Sequence, residues 1–169
     1  MPIIPAADMP YYDEIRAYAI RLAGNWSWGE DIAQETYLRF FQAQTEIQEG
    51  SQRAWLYRTA RNLLIDQFRR NQRAGKVRNT LKSDILPART DSDGESPQNS
   101  LEKEELINQV SAVVDTLPER QREVVRLKFQ QQLSYEEISQ VTGETKSTIG
   151  WLLHEAMLKL RKDLAQLDH

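Results

Sequence analysis

Apolar residues along this chain recur at intervals of three and four over long windows, and no stretch shows the alternation of a half-buried strand. The pattern predicts an all-α protein. In WGEDIAQETYLRFF, from Trp28 to Phe41, Ala33, Tyr37, Phe40 and Phe41 form an apolar stripe, while Asp31, Gln34, Glu35 and Leu38 share another helix face. In GSQRAWLYRTARNLLIDQFRRNQR, Ser51 is placed to cap a helix that runs to about Arg73. Trp55, Arg58, Arg61, Asn62, Asp66, Arg69 and Arg73 fall on one broad arc of that helix, and Leu56, Ala60, Leu63 and Leu64 on the opposite side.

A second periodic block follows later in the chain. Thr116 can cap a helix whose first turn holds Pro118 and Glu119, a capping box, with Val124, Val125, Leu127 and Phe129 as its apolar positions. Ser134-Tyr-Glu-Glu137 is a second capping box, opening a short helix with Ile138 and Val141 inward. Gly143 suits a left-handed helix end, and Thr145 can cap a longer helix from Lys146 to about Leu164. Its expected buried seam is Ile149, Leu153, Ala156 and Leu160. A short helix, a Gly-containing turn and a long helix make the helix-turn-helix plan, although an ordinary pair of antiparallel helices has the same pattern.

Residues 76–104 break the periodicity, and their middle is rich in Asp, Ser, Gly and Pro, as linkers are. The expected architecture is therefore two small helical domains, 10–75 and 105–165, joined by a flexible acidic linker. Each is near the lower size limit for a self-sufficient core.

Charge sharpens this division. Residues 53–78 hold eight Arg or Lys against Asp66 alone, a net +7, whereas residues 91–105 hold six acids against Lys103, a net −5. A strongly basic helix beside an acidic tether points toward nucleic acid, although charge runs are also common on plain solvated helix faces. The whole chain carries −3, so it is not a general polyanion binder. There is no cysteine and only two histidines, His154 and His169, which leaves no thiolate or His-rich metal site. No clustered nucleophile and base or phosphate-binding Gly loop is present, so neither an enzyme nor a bound cofactor is expected. The N-terminus has neither the basic nor the long apolar region of a signal peptide, and no run suffices for a membrane span, so a cytoplasmic protein is expected.

The stretches LPERQREVVRLKF and LSYEEISQVTGETKSTIGWLLHEAMLKLR resemble domain four of bacterial sigma factors. WGEDIAQETYLRFF and RAWLYRTARNLLIDQFRR resemble domain two of the extracytoplasmic-function (ECF) group of the sigma-70 family. The likeness runs from about Tyr12 to Leu164, with three motifs, the two domain-two stretches and the domain-four pair taken as one, in the family's order. It implies a subunit that binds core RNA polymerase, through the β′ clamp helices and the β flap, and directs it to the promoters of a specialised regulon.

The resemblance also implies roles for particular residues. Asp31, Gln34, Glu35 and Leu38 would face the clamp helices, although an acidic first turn favoured by the helix dipole accounts for Asp31 as well. Trp55, Arg58, Arg61, Asn62, Asp66, Arg69 and Arg73, with the loop Thr45 to Gln52, would read and trap the minus-ten strand. There an aromatic face can hold an unstacked base, unless Trp55 is core and Asp66 merely pairs with neighbouring arginines. Lys146, Ser147, Gly150, Trp151 and His154 would meet the minus-thirty-five element. The linker would thread toward the active-site cleft, or serve as a plain tether. An anti-sigma factor would hold the protein inactive. The chain departs from the family at Gly150 and Leu152, where many members carry Lys or Arg. That departure counts against strong autonomous minus-thirty-five binding and supports one rival, an adaptor or decoy that no longer binds DNA. The other rival, a helix-turn-helix regulator that works without polymerase, accounts for the C-terminal block but leaves domain two unexplained.

Overall fold

The computed structural model describes residues 9–75 and 97–167. Seven α-helices make up the regular structure, with no strand among the described residues: α1 (Tyr12–Ala23), α2 (Trp26–Ala43), α3 (Gln52–Arg73), α4 (Pro97–Asp115), α5 (Glu119–Val125), α6 (Tyr135–Thr142) and α7 (Lys146–Leu167). Contacts group α1–α3 with the segment Glu136–Glu144, and α4, α5, the residues up to Tyr135 and α7 in a second unit.

In the first unit, α1 ends at Gly24, whose left-handed backbone (φ 67°) lets its N–H reach the Ile20 carbonyl. Asn25 then caps α2 by accepting from the Trp28 N–H at 2.9 Å. Gly29 is where α1 and α2 touch. A Cβ there would lie 2.4 Å from the Ile20 Cα, so no other residue permits this approach. Behind that contact Ile15, Tyr18, Ala33, Tyr37, Phe40, Leu56, Tyr57, Ala60 and Leu64 are buried. Fully burying one large apolar side chain contributes about 1.5–3 kcal/mol, so these residues are the main favourable term. The expected stripe on α2 holds for Ala33, Tyr37 and Phe40, while Phe41 is only half-buried.

A polar clasp adds to the core. The Glu14 carboxylate accepts from the Arg53 Nη2 at 2.9 Å and from the Tyr57 hydroxyl at 2.7 Å. Burial, then the hydrogen bond to Glu14, pushes the Tyr57 hydroxyl well above the ordinary phenol range. Burial is the largest single influence on the Arg53 guanidinium and lowers its pKa, but the hydrogen bond and charge of Glu14, with the smaller influences of Tyr57 and Glu137, together outweigh it and raise the pKa. Arg53, one of the eight cations of the basic run, is thus committed to the fold. Ser51 makes no capping hydrogen bond, contrary to expectation; its backbone (φ −102°, ψ 1°) lies outside the extended region that aims a cap at the first turn.

In the second unit, α4 begins at Pro97, inside the stretch that reads as linker from its composition. Val124, Val125, Leu127, Ile149, Leu153, Ala156 and Leu160 are buried, as the periodicity of the later helices predicts, and Val113 and Val114 of α4 are buried with them. Leu152 joins them, which the predicted seam omitted. Two further expectations fail for local reasons. The Thr116 hydroxyl donates to the Val113 carbonyl, so it closes α4 rather than opening α5, whose N-cap is Pro118 with no side-chain cap. After α5 the chain makes a π-helical turn, Arg126–Gln130, with the Gln131 N–H on the Arg126 carbonyl. The extra residue per turn rotates Phe129 outward, where it is 57% exposed instead of buried.

The short helix keeps its predicted inward residues and its glycine stop. Ile138 and Val141 of α6 are buried, and Gly143 takes φ 79° to end it. Thr145 caps α7 by accepting from the Thr148 N–H at 3.2 Å.

Candidate nucleic-acid interface

Three exposed faces arise from the helices just described. On α2, burial of Ile32, Ala33, Thr36 and Tyr37 leaves Asp31, Gln34 and Leu38 outward, with Leu38 40% exposed. The four predicted residues of this face do not all stand alike. Glu35 is half-buried and accepts from the Arg39 Nε at 3.0 Å, an i,i+4 pair that the sequence spacing allows. Near the start of α2, Trp26 is exposed with the Arg16 guanidinium 4.7 Å from its ring centroid, and Arg16 also pairs with Glu30. Neither residue stood out by sequence pattern, because the stack joins α1 to α2.

On α3, burial of Ala54, Leu56, Tyr57, Ala60 and Leu64 turns Arg58, Asn62, Asp66, Arg69 and Arg73 to solvent. Successive members lie three or four residues apart, so they form a strip about 20 Å long at 1.5 Å per residue. Arg61 and Trp55, at its edges, are half-buried. The Trp55 ring is tilted against Phe40 at 5.9 Å, so it leans on the core while keeping part of its surface outside. An exposed strip of guanidinium groups with a partly open indole at one end is a surface suited to a phosphate backbone and an unstacked base.

On α7, Lys146, Ser147, Trp151 and His154 are exposed and Gly150 is half-exposed, so all five predicted residues lie along one side. Trp151 is 58% exposed, far from a core role. Tyr135, at the start of α6 and 41% exposed, lies over this surface beside Gly150, with the Lys128 ammonium 5.3 Å from its ring. Sequence spacing gave no sign of Tyr135 or Lys128 here, because only the folded turn brings them to α7. At the other end the Lys159 ammonium donates to the Thr116 carbonyl at 3.0 Å, so it is anchored within its own unit rather than held out for phosphate.

Among the described residues, no three His, Cys, Asp or Glu come together as a metal site, and no helix is long and apolar enough to cross a membrane.

Comparison with known proteins supplies the class that these helices and faces serve. The family model for sigma-70 region 2 matches residues 9–74, and that for sigma-70 region 4 matches residues 107–160. The ECF RNA polymerase sigma factor SigW of Bacillus subtilis is 31% identical over 166 residues, covering 93% of this chain and 86% of its own. SigE of Mycolicibacterium smegmatis is 32% identical over 95% of this chain; the chain spans 64% of that longer relative. In a solved structure, the sigma factor RpoE in complex with the anti-sigma factor NepR from Bartonella quintana shares the fold, with a TM-score of 0.67 at 23% identity over 95% of both chains.

The chain belongs to the ECF sigma factors of the sigma-70 family. The family is one of non-catalytic transcription initiation factors.

Proposed function

We propose that this protein binds core RNA polymerase and directs it to the promoters of a specialised regulon, with one helix face for each task. Residues 10–75 bind polymerase and the minus-ten element, residues 76–104 connect, and residues 105–165 take the minus-thirty-five element. Asp31, Gln34, Glu35 and Leu38 on α2 meet the β′ clamp helices. Arg58, Arg61, Asn62, Asp66, Arg69 and Arg73, with Trp55, hold the opened minus-ten strand. Lys146, Ser147, Gly150, Trp151 and His154 on α7 meet the minus-thirty-five duplex, and the β flap supports the second domain. The protein works in the cytoplasm, with an anti-sigma factor as its regulator.

The observation that carries this reading is the strip on α3, where Arg58, Arg69 and Arg73 outnumber Asp66 and the like charges of Arg69 and Arg73, one turn apart, give the helix no stability. Free DNA binding is expected to be weak. With few cations on α7, affinity comes from polymerase presenting both DNA-facing surfaces at once, an effective-concentration gain of about 10²–10⁴. The test is run-off transcription with purified protein, core polymerase and fragmented genomic DNA from the source organism. Specific RNA starts absent with core alone are the expected result. Failure to bind core would sink the reading; tight, salt-dependent binding to duplex by the protein alone would favour the polymerase-independent regulator.

A further inference from the structure

Two glycines lie inside helices that pack in different ways, and only one is explained by the fold. Gly29 is compelled by the Ile20 backbone. Gly150 is not: an added Cβ would meet only the Tyr135 Cε2, at 3.9 Å, an ordinary van der Waals separation. The position lies one turn into α7 without a left-handed torsion, so alanine would fit there and strengthen the helix. The chain therefore carries a weaker helix at the middle of an exposed face, with Lys146 and His154 one turn to either side and Ser147 and Trp151 adjoining.

The chemistry of that surface restricts what it can meet. From Ser147 to Leu158 there is no Lys or Arg, and the exposed side chains include Trp151, Met157 and Leu158. Such a face has few donors for the acceptor edges of guanine or adenine. In the major groove the apolar feature of a base edge is the C5-methyl group of thymine.

We propose that Gly150 is a specificity-determining residue: its missing side chain leaves a notch, floored by the α7 backbone and bordered by the Tyr135 ring edge, that seats a thymine C5-methyl of duplex DNA. Trp151 covers the apolar surface next to it. The inference rests on the promoter reading proposed above and names what α7 reads.

The experiment uses the full chain with core polymerase on a promoter located by run-off mapping. Each thymine of the upstream element is replaced singly by uracil, which removes only the methyl group. Wild-type holoenzyme is expected to lose about fourfold in affinity at one thymine, the factor carried by one buried methyl group. The Gly150→Ala variant is expected to melt higher by about 5 °C. It should form holoenzyme normally, bind the promoter about tenfold more weakly, and be indifferent to uracil at that same thymine. The proposal is overturned if Gly150→Ala transcribes like wild type, if it melts lower, or if no uracil affects the wild type although the upstream element matters. If scrambling the whole upstream element leaves wild-type transcription unchanged, the promoter reading of α7 has itself failed, and this inference with it.

Discussion

The two helices proposed to face DNA, α3 and α7, are the same length, 22 residues each, yet they present surfaces of different chemistry. On α3 the outward side is a strip of guanidinium groups at Arg58, Arg69 and Arg73; on α7 it is an indole, a glycine and an imidazole, with Lys146 the cation of the first turns. Guanidinium groups attract any phosphate and reward contact with counterion release, whatever the sequence. Apolar and backbone surface earns little from phosphate and depends on the shape of the base edge it meets. The contrast suggests a division of labour in which α3 supplies general affinity for the opened strand and α7 supplies discrimination at low affinity. Such a division works only if a third surface holds both to the DNA, and the face of α2 is where that third contact is proposed.

Removing that contact should therefore abolish the contrast altogether. The double change Asp31→Arg with Gln34→Ala places a wrong charge at the proposed polymerase face while leaving the buried side of α2 untouched. Core binding is expected to fall by about 100-fold, as when an interface hot spot is lost. Transcription from every promoter should fall with it, at unchanged thermal stability. A normal core affinity, measured by fluorescence titration of polymerase, would move the polymerase contact elsewhere.

The next largest effect tests α3 alone. Arg58→Gln, Arg69→Gln and Arg73→Gln together remove three exposed cations, so the slope of log affinity against log salt should become shallower by about 2, at about 0.7 per single-strand phosphate contact. The loss should be nearly uniform across promoter sequences. A sequence-dependent loss with an unchanged slope would mean that the strip reads bases instead.

The ease with which these surfaces could be read from the chain differs in the same way. The arc on α3 follows from helical period alone, since charge spaced three and four apart must share a side, and Leu56, Ala60 and Leu64 fix which side is buried. The α7 seam was legible on the same grounds, except that Leu152 counted as a departure from the family and turned out to be buried. What period could not reveal is whatever depends on two segments meeting. Arg53 was one more cation in the charge of the basic run until its bond to Glu14, 39 residues away, took it into the fold. Phe129 would fall at an apolar position if the helix stayed regular, and in the π-helical turn it is exposed. Tyr135 reaches Gly150 through a turn whose geometry no spacing rule encodes.

Trp151→Ala sharpens the comparison from the other side. The indole is largely exposed, so stability should stay within about 0.5 kcal/mol of wild type. Promoter binding by holoenzyme should drop about tenfold, the worth of one good base-edge contact, with no change in salt slope. The loss should disappear on templates whose upstream element is scrambled. A stability loss above that range would assign Trp151 to packing, in which case α7 has no aromatic reader and the contrast with α3 is only one of charge.

The smallest expected effect belongs to the α7 counterpart of the arginine strip. Lys146→Ala removes the cation in the first turn of α7, so at most one phosphate contact is at stake and the salt slope can change by no more than about 0.9. At moderate salt this amounts to a loss of about two- to threefold, near the limit of a filter-binding or anisotropy measurement but well resolved as a slope over a range of salt concentrations. The size of the slope decides between two pictures. A change of one contact or less keeps α7 a shape reader on a charge-poor face, dependent on polymerase for its place on the DNA. A change of two or more would show that Lys146 organises phosphate contacts made by its neighbours, and α3 and α7 would then differ in the number of their cations but not in the kind of contact they make.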